Sequence, residues 1–209
     1  MKKKRILALF LAAVSCLSLA VSASAASATT RKATDFKDYD RTAWYAEAVS
    51  AAVDNGLLYG KSSTIIDPNG DMTRAEMAAI INRSFGCYKQ ADISQYKDVA
   101  KSKWYYKDVG LAVQMGTYNG RSSSTMAPDA PISRQEAMTV VARALELDYD
   151  SYSKTDLSAF TDRSEISNWA LPYVRAMVGA DYLYGFLPPQ GIRPDLYGQA
   201  VYPHSRLSA

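Results

Sequence analysis

Two short segments of this 209-residue chain combine a hydroxyl, an arginine and a glutamate in the same order, TRAE (73–76) and SRQE (133–136). Arginine binds carboxylate and phosphate groups through paired hydrogen bonds. Two carboxylates can also serve as the acid and the base of a glycoside hydrolase. The segments therefore raise two candidate activities, which are anion binding and carbohydrate hydrolysis.

Each segment also has the spacing of a helix capping box. In such a box the hydroxyl of Thr73 or Ser133 accepts a hydrogen bond at the helix start, and Glu76 or Glu136 bonds back to the capping residue. This spacing predicts two helix starts and gives both glutamates a structural role. The repetition also disfavours a hydrolase, because a catalytic pair of carboxylates needs unlike environments to separate its pKa values.

The capping box does not explain Arg74 and Arg134. Both lie at the first helical position, where the helix dipole disfavours a cation. In one interpretation, backbone N–H groups and the guanidinium together bind a carboxylate or a phosphate. In the other, each arginine forms an internal ion pair with Asp38 or Asp98. The spacing alone does not separate these two interpretations.

The loop before the first segment has only part of a metal-binding pattern. Asp67, Asn69 and Asp71 match the first, third and fifth positions of an EF-hand loop, but the required glycine and final glutamate are missing. His204 is the single histidine of the chain, which excludes a multi-histidine metal centre. We predict no metal site and no cofactor, and enzyme chemistry has little support.

The two segments belong to a repeat of 60 residues. FKDYDRTAWYAEAVSAAVDNGLLYG (36–60) aligns without gaps with YKDVAKSKWYYKDVGLAVQMGTYNG (96–120), and FTDRSEISNWALPYVRAMVGADYLYG (160–185) is a third, partial copy. The predicted units are repeat 1 at 36–85, a linker at 86–95, repeat 2 at 96–145, a linker at 146–159, a partial repeat 3 at 160–185 and an irregular tail at 186–209.

Each repeat reads as two helices. The first helix opens at Trp44 or Trp104, and its apolar residues recur at helical spacing. The second helix follows a turn-rich loop, and its apolar stripe in repeat 1 is Met77, Ile80 and Ile81. Because a helix pair of this size cannot bury its apolar face alone, neighbouring copies should pack into one all-α core. The tail has neither a third Arg-x-Glu segment nor an apolar period, so the third unit is predicted to be incomplete.

The start of the chain has the pattern of an export signal. A cationic start (2–5), an apolar run (6–21) and small residues (22–28) predict a signal peptide at 1–25 and a mature N-terminal segment at 26–35. Cleavage is expected after Ala25, with Ala28 as the second choice, and lipidation at Cys16 is a weaker alternative. After cleavage Cys87 is the single cysteine, which excludes an intrachain disulfide.

The net charge of the mature chain excludes some classes of binding partner. Residues 1–25 hold four cations and no acid, so 20 Lys and Arg remain against 21 Asp and Glu. Nucleic-acid and anionic-membrane binders need a basic face. We therefore expect a secreted protein that binds no nucleic acid and has no membrane span after signal cleavage.

The repeated landmarks resemble the S-layer homology (SLH) domain of bacterial surface proteins. They are Phe/Tyr-x-Asp, Trp, Ala-Val, Gly, Asp-x-x-x-Pro and Thr/Ser-Arg-x-Glu, and they cover 36–185 with two complete copies and a truncated third. The resemblance implies helix–loop–helix SLH units packed as a pseudo-threefold helical bundle whose third unit is incomplete.

The resemblance also implies a function, which is non-catalytic anchoring to the cell wall. SLH modules bind secondary cell-wall polysaccharide, often through a pyruvylated sugar, in grooves between repeats. Arg74 and Arg134 would then meet the anionic substituent. The residues expected to line the grooves are Asp38, Asp98, Trp44, Trp104, Gly60 and Gly120.

Two alternatives to wall anchoring stay open. One is a cell-wall hydrolase. The other is a self-assembling helical surface module that completes its core with another chain, in which case other copies of surface-layer protein would be partners.

Overall fold

The computed structural model describes residues 31–183. This range contains five α-helices, two 3₁₀ turns (Ala33–Asp35 and Arg163–Glu165) and no β-strand, which confirms the all-α class. None of its helices is long and apolar enough to cross a membrane. The predicted signal peptide and the tail at 186–209 lie outside the described residues. The helices are α1 (Ala46–Asp54), α2 (Arg74–Phe85), α3 (Tyr106–Gln114), α4 (Arg134–Ala144) and α5 (Leu171–Gly179).

The first helix of each repeat starts two residues later than predicted. α1 begins at Ala46 rather than Trp44, and α3 likewise begins two residues after Trp104. The preceding residues form turns, in which the Asp40 carboxylate accepts hydrogen bonds from the N–H and the hydroxyl of Thr42 at 2.8 and 2.7 Å. Such local bonds stabilise a turn in competition with a helix. The tryptophans therefore stand in turns that precede the helices.

The second helix of each repeat packs against the first helix of the next repeat. α2 packs on α3, and α4 packs on α5. Between α2 and α3 one apolar core joins Ala75, Ala78 and Ile81 to Val109 and Ala112. Burial of these faces is the main source of stability available to helices this short. The contact between these helices therefore lies between sequence repeats rather than within one repeat.

The buried face of α2 differs from the predicted stripe. Of Met77, Ile80 and Ile81, only Ile81 is fully buried, and the other two are half-buried. The remaining core-facing positions belong to alanines together with Arg74 and Asn82. Large apolar side chains do not mark this face, because the residues that pack against the neighbouring helix are mostly small.

α1 differs from α3 and α5 in its neighbours. Within residues 31–183 no second helix covers it, and it packs on the N-terminal segment instead. Its core consists of Ala33, Phe36, Val53 and Ile66. In the described part of the chain, two junctions thus join a second helix to the first helix of the next repeat, and α2 also contacts α4. The pseudo-threefold arrangement stays a prediction.

Candidate functional site

Both Arg-x-Glu segments form capping boxes. At the start of α2 the Thr73 hydroxyl accepts the N–H of Glu76 at 3.2 Å, and the Glu76 carboxylate accepts the N–H of Thr73 at 2.8 Å. Ser133 and Glu136 repeat these bonds at 3.2 and 2.9 Å. Each box satisfies backbone N–H groups that a helix start leaves without partners. In each box one arginine, Arg74 or Arg134, follows the capping residue at the first position of the helix.

The guanidinium of Arg74 is buried and bonded to repeat 2. Its side chain is 6% exposed, and Nη1 forms an ion pair with Glu136 at 3.0 Å. Nε donates to the carbonyl of Met126 at 3.0 Å, and Nη2 donates to the carbonyl of Asn119 at 3.1 Å. The ring of Tyr118 faces the guanidinium at 5.1 Å. Arg74 therefore links α2 to the loop of the following repeat.

The backbone at the start of α2 is bonded to the same loop. The N–H of Arg74 donates to the carbonyl of Ala130 at 3.0 Å, and the N–H of Ala75 donates to the carbonyl of Pro128 at 2.9 Å. Together with the capping box, these bonds use the N–H groups that an anion would need. The N–H groups of this helix start are therefore bonded within the chain, and a role for Arg74 in ligand binding stays a prediction.

Arg74 forms an internal ion pair, as one of the two interpretations predicted, but its partner is not one of the predicted aspartates. The ion pair joins Arg74 to Glu136, and neither Asp38 nor Asp98 takes part. Arg134 occupies the same position at the start of α4 and is exposed. A direct role for Arg134 in ligand binding stays a prediction.

Asp38 and Asp98 shape the loops that lead into α2 and α4. The Asp38 carboxylate accepts the N–H groups of Ile66 and Asp67 at 2.9 and 2.6 Å. Asp98 forms the same pair of bonds in repeat 2, also at 2.9 and 2.6 Å. The bond from Ile66 is the largest cause that holds the pKa of Asp38 below its ordinary value. Both aspartates thus support a loop, and their place in a groove stays a prediction.

A cavity of about 540 Å³ lies between α1, α2 and the loop of repeat 1. Trp44 and Gly60 line it, and Trp104 borders it from repeat 2. The tryptophans are 74% and 60% exposed, so both rings are accessible from solvent. The structure thus brings three predicted groove residues together. The predicted site residues outside the cavity lining are Arg74, Arg134, Asp38, Asp98 and Gly120.

The cavity lining includes two cations and three carboxylates, one of which belongs to the capping box, together with two tyrosines; the charged residues are Lys61, Arg83, Asp67, Asp71 and Glu76. Lys61 Nζ lies 2.7 Å from the Glu76 carboxylate. Arg83 donates to the carbonyl of Leu57 at 2.9 Å, and its guanidinium lies over the ring of Tyr59 at 4.2 Å. Such stacking leaves the edge of a guanidinium available for further hydrogen bonds.

Sequence reasoning missed Lys61, Tyr59 and Arg83 as cavity residues. Basic residues recur at Arg121 and Arg143, sixty residues after Lys61 and Arg83. That recurrence was the available signal.

Comparison with known proteins identifies the family. The family model of the S-layer homology domain matches residues 35–78 and 95–138, which include both capping boxes. The chain is therefore an S-layer homology domain protein, of the class that serves cell-wall anchoring. A location at the cell surface, in association with the cell wall, follows from this membership. The partial third copy lies outside the matched residues and stays a prediction.

Similar proteins carry the matching region within much longer chains. The Surface-layer 125 kDa protein of Lysinibacillus sphaericus is 30% identical over 73% of this chain and 13% of its own length. The Cellulosome-anchoring protein of Acetivibrio thermocellus is 29% identical over 53% of this chain and 26% of its own. An Endoglucanase of Bacillus sp. (strain KSM-635) is 26% identical over 65% and 14%. This chain thus spans about a quarter or less of each of these relatives.

Acidification should weaken the fold through the capping glutamates. Burial raises the pKa of Glu136, but the N–H of Ser133 and the charges of Arg74 and Arg121 outweigh it, so the pKa lies below its ordinary value. A carboxylate with a lowered folded-state pKa contributes stability above its unfolded pKa and loses it as the pH falls. We expect the urea midpoint to fall as the pH drops below about 4.5, the ordinary glutamate value.

The matched variants are Glu136→Gln and Glu165→Gln. Glu165 is exposed and lies outside both capping boxes. Urea titrations followed by circular dichroism between pH 6 and 3 should show a shallower loss for Glu136→Gln and a wild-type loss for Glu165→Gln. Equal pH dependence in all three proteins would contradict the assignment.

Proposed function

We propose that this chain anchors to the bacterial cell wall without catalysis, by binding an anionic, pyruvylated secondary polysaccharide at the cavity of repeat 1. The observation that carries the proposal is the pair of exposed tryptophans, Trp44 and Trp104, on a cavity that also contains Arg83. An aromatic ring can pack one face on the protein and offer the other to the apolar face of a sugar. A cation beside it supplies the partner for an acidic substituent.

Arg83 is the better cation for the carboxylate of the ligand. Lys61 is already neutralised by Glu76, with both carboxylate oxygens at 2.7 Å from Nζ. Arg83 is half-buried and has a carbonyl and an aromatic ring as neighbours rather than a carboxylate. A guanidinium pairs with a carboxylate through two parallel hydrogen bonds, which adds specificity as well as affinity. The pyruvyl carboxylate is therefore placed at Arg83 in this proposal.

The proposal is tested by co-sedimentation with purified cell-wall sacculi. The double variant Trp44→Ala, Trp104→Ala should bind at least about tenfold more weakly, since stacking on each ring is worth about 1 kcal/mol. Tyr88→Ala is the matched control, because Tyr88 is 93% exposed and does not line the cavity. Sacculi stripped of their secondary polysaccharide should bind none of the three proteins. Unchanged binding by the double variant would refute the site.

The role of Arg83 is tested by a double cycle that combines a substitution of Arg83 with removal of the pyruvyl groups from the sacculi. Arg83→Ala should weaken binding to intact sacculi and should make no difference on sacculi whose pyruvyl groups have been removed by mild acid. The same supernatants test the hydrolase alternative. We expect no soluble sugar or peptide fragments above the protein-free control, and their release would replace anchoring with catalysis.

A further inference from the structure

One arginine from the segment before repeat 1 bridges two points of the repeat 1 loop. Arg31 Nη1 donates to the carbonyl of Tyr59 at 3.1 Å, and Nη2 donates to the carbonyl of Ser63 at 2.9 Å. The guanidinium also lies 5.1 Å from the centre of the Phe36 ring. Because a guanidinium is planar and holds its N–H groups in a rigid fork, two such bonds fix the relative position of their acceptors. Arg31 therefore ties together the two ends of the segment 59–63.

The segment that Arg31 bridges is one wall of the proposed binding cavity. Tyr59, Gly60 and Lys61 line the cavity, whereas Arg31 lies outside the lining. The ring of Tyr59 stacks on the guanidinium of Arg83, with 4.2 Å between the ring centre and Cζ. The bond from Arg31 is made to the backbone carbonyl of the same tyrosine. Two successive contacts thus lead from Arg31 through Tyr59 to Arg83.

The place of the Tyr59 ring depends on the backbone that carries it. Tyr59 is 56% exposed, so packing against neighbouring side chains holds the ring only in part. Surface loops are more mobile than the helices that they connect. A displacement of this loop would move the ring away from Arg83, which belongs to α2. The bonds from Arg31 oppose such a displacement.

Repeat 2 holds its equivalent arginine in another way. Arg143 lies sixty residues after Arg83, and its guanidinium lies 4.8 Å from the ring centre of Tyr173 and donates to the Tyr173 hydroxyl at 3.0 Å. Tyr173 belongs to α5, so a helix rather than a loop fixes this ring. Repeat 2 has neither an arginine at position 91 nor an aromatic ring at position 119. The bridging arginine is thus present in the repeat whose stacking ring stands on a loop.

We propose that Arg31 is a positioning residue for the wall-binding site. Its two bonds hold the Tyr59 ring against Arg83, and the stacked guanidinium keeps its edge available for the carboxylate of the polysaccharide. Arg31 itself contacts no part of the ligand. The inference rests on the proposed function, because it concerns the cation that is assigned there to the ligand carboxylate. It adds the segment before repeat 1 to the residues on which wall binding depends.

The first test measures the stacking without any ligand, through the Nε–H resonance of Arg83 in ¹⁵N-labelled protein. Arg83→Lys identifies the resonance by its loss, and Tyr59→Leu gives its position when the aromatic ring current is absent. Arg31→Ala should displace the resonance in the same direction as Tyr59→Leu. Arg31→Lys should do so as well, because an ammonium lacks the rigid fork that bridges the two carbonyls. An unchanged resonance in both Arg31 variants would overturn the inference.

Lys37→Ala is the matched control for the loss of a cation from this segment. Lys37 is exposed, and it bonds to the carbonyl of Thr64 through its backbone N–H, which alanine retains. We expect the Arg83 resonance of this variant at the wild-type position. The backbone amide spectrum of each variant shows that the fold is kept. A displacement by Lys37→Ala as large as that by Arg31→Ala would contradict a specific role for the guanidinium.

The second test is co-sedimentation with intact sacculi and with sacculi whose pyruvyl groups have been removed. Arg31→Ala should bind intact sacculi about fivefold more weakly, which lies within the range of coupling between side chains of one network. It should bind the treated sacculi as the wild type does, and it should add no loss to that of Arg83→Ala. A purely structural defect would instead weaken binding to both kinds of sacculi.

The outcomes separate this inference from the proposed function. If Arg83→Ala weakens binding and Arg31→Ala does not, the inference is wrong and the placement of the carboxylate at Arg83 stands. If Arg83→Ala binds as the wild type does, that placement is wrong and the inference is lost with it. A double variant that binds more weakly than Arg83→Ala alone would show that Arg31 does not act through Arg83.

Discussion

Arg74→Ala should lower the free energy of unfolding by about 3 kcal/mol, since removal of one partner of a buried ion pair costs about 3–5 kcal/mol. The lower end applies because Glu136 keeps a second cation, Arg121, whose side chain is 45% exposed. The variant also leaves the carbonyls of Met126 and Asn119 without their donor. Unsatisfied buried acceptors add to the loss. Urea unfolding followed by circular dichroism measures the change.

Arg134→Ala is the matched control for Arg74→Ala. Both arginines follow the capping residue of a second helix, but Arg134 is exposed. We expect a much smaller loss for Arg134→Ala, because exposed side chains rarely contribute as much as buried ones. A double cycle with Glu136→Gln should show coupling between positions 74 and 136. Equal losses for the two arginine variants, or no coupling, would contradict the role of Arg74 as a link between repeats.

Gly60→Ala should destabilise the protein by about 3 kcal/mol through two separate effects. Gly60 has a φ of +80°, and a left-handed conformation costs a residue with a Cβ about 1–2 kcal/mol. That Cβ would also lie 2.6 Å from the carbonyl oxygen of Ile65 and from the ring of Phe36. Overpacking of this kind costs about 1–3 kcal/mol. Because one of the contacts is backbone, a side-chain rotation cannot relieve it.

Gly86→Ala separates the conformational effect from the steric one. Gly86 has a φ of +67° at the end of α2, and a Cβ there would meet no atom within 4 Å. We expect the free energy of unfolding of this variant to fall by about 1 kcal/mol, measured by the same urea titration. A loss for Gly86→Ala as large as that for Gly60→Ala would mean that the packed loop adds nothing to the cost.

The repeat and the helix starts could be predicted from sequence because their signals are local. A hydroxyl followed three residues later by a glutamate specifies its own hydrogen bonds, so both capping boxes form at the predicted positions. The turn that delays α1 is also local, because the Asp40 carboxylate accepts hydrogen bonds from Thr42 two residues later. Helix boundaries depend on such competition between side-chain and backbone bonds.

The role of Arg74 could not be predicted in the same way, because its partners come from another repeat. The ion pair joins residues 62 positions apart. Two further acceptors of the Arg74 guanidinium are backbone carbonyls, which no side-chain type marks in the sequence. Asp38 and Asp98 were candidates by charge alone, but both are used by nearby loop N–H groups. The cavity was predictable to the extent that repeated exposed aromatics mark it. The position of Arg83 in the cavity could not be predicted, because the sequence does not show which face of α2 remains uncovered.

The packing of α2 on α3 means that the sequence repeat and the cooperative folding unit are out of phase by half a period. The linker at 86–95 lies inside the α2–α3 unit, and its Ala91 N–H donates to the carbonyl of Gly110 in α3. In a linear array whose stability comes from neighbouring interfaces, a cut at such a linker separates the two halves of one core. Excision of a whole unit from this protein should therefore be made in the loop between α1 and α2.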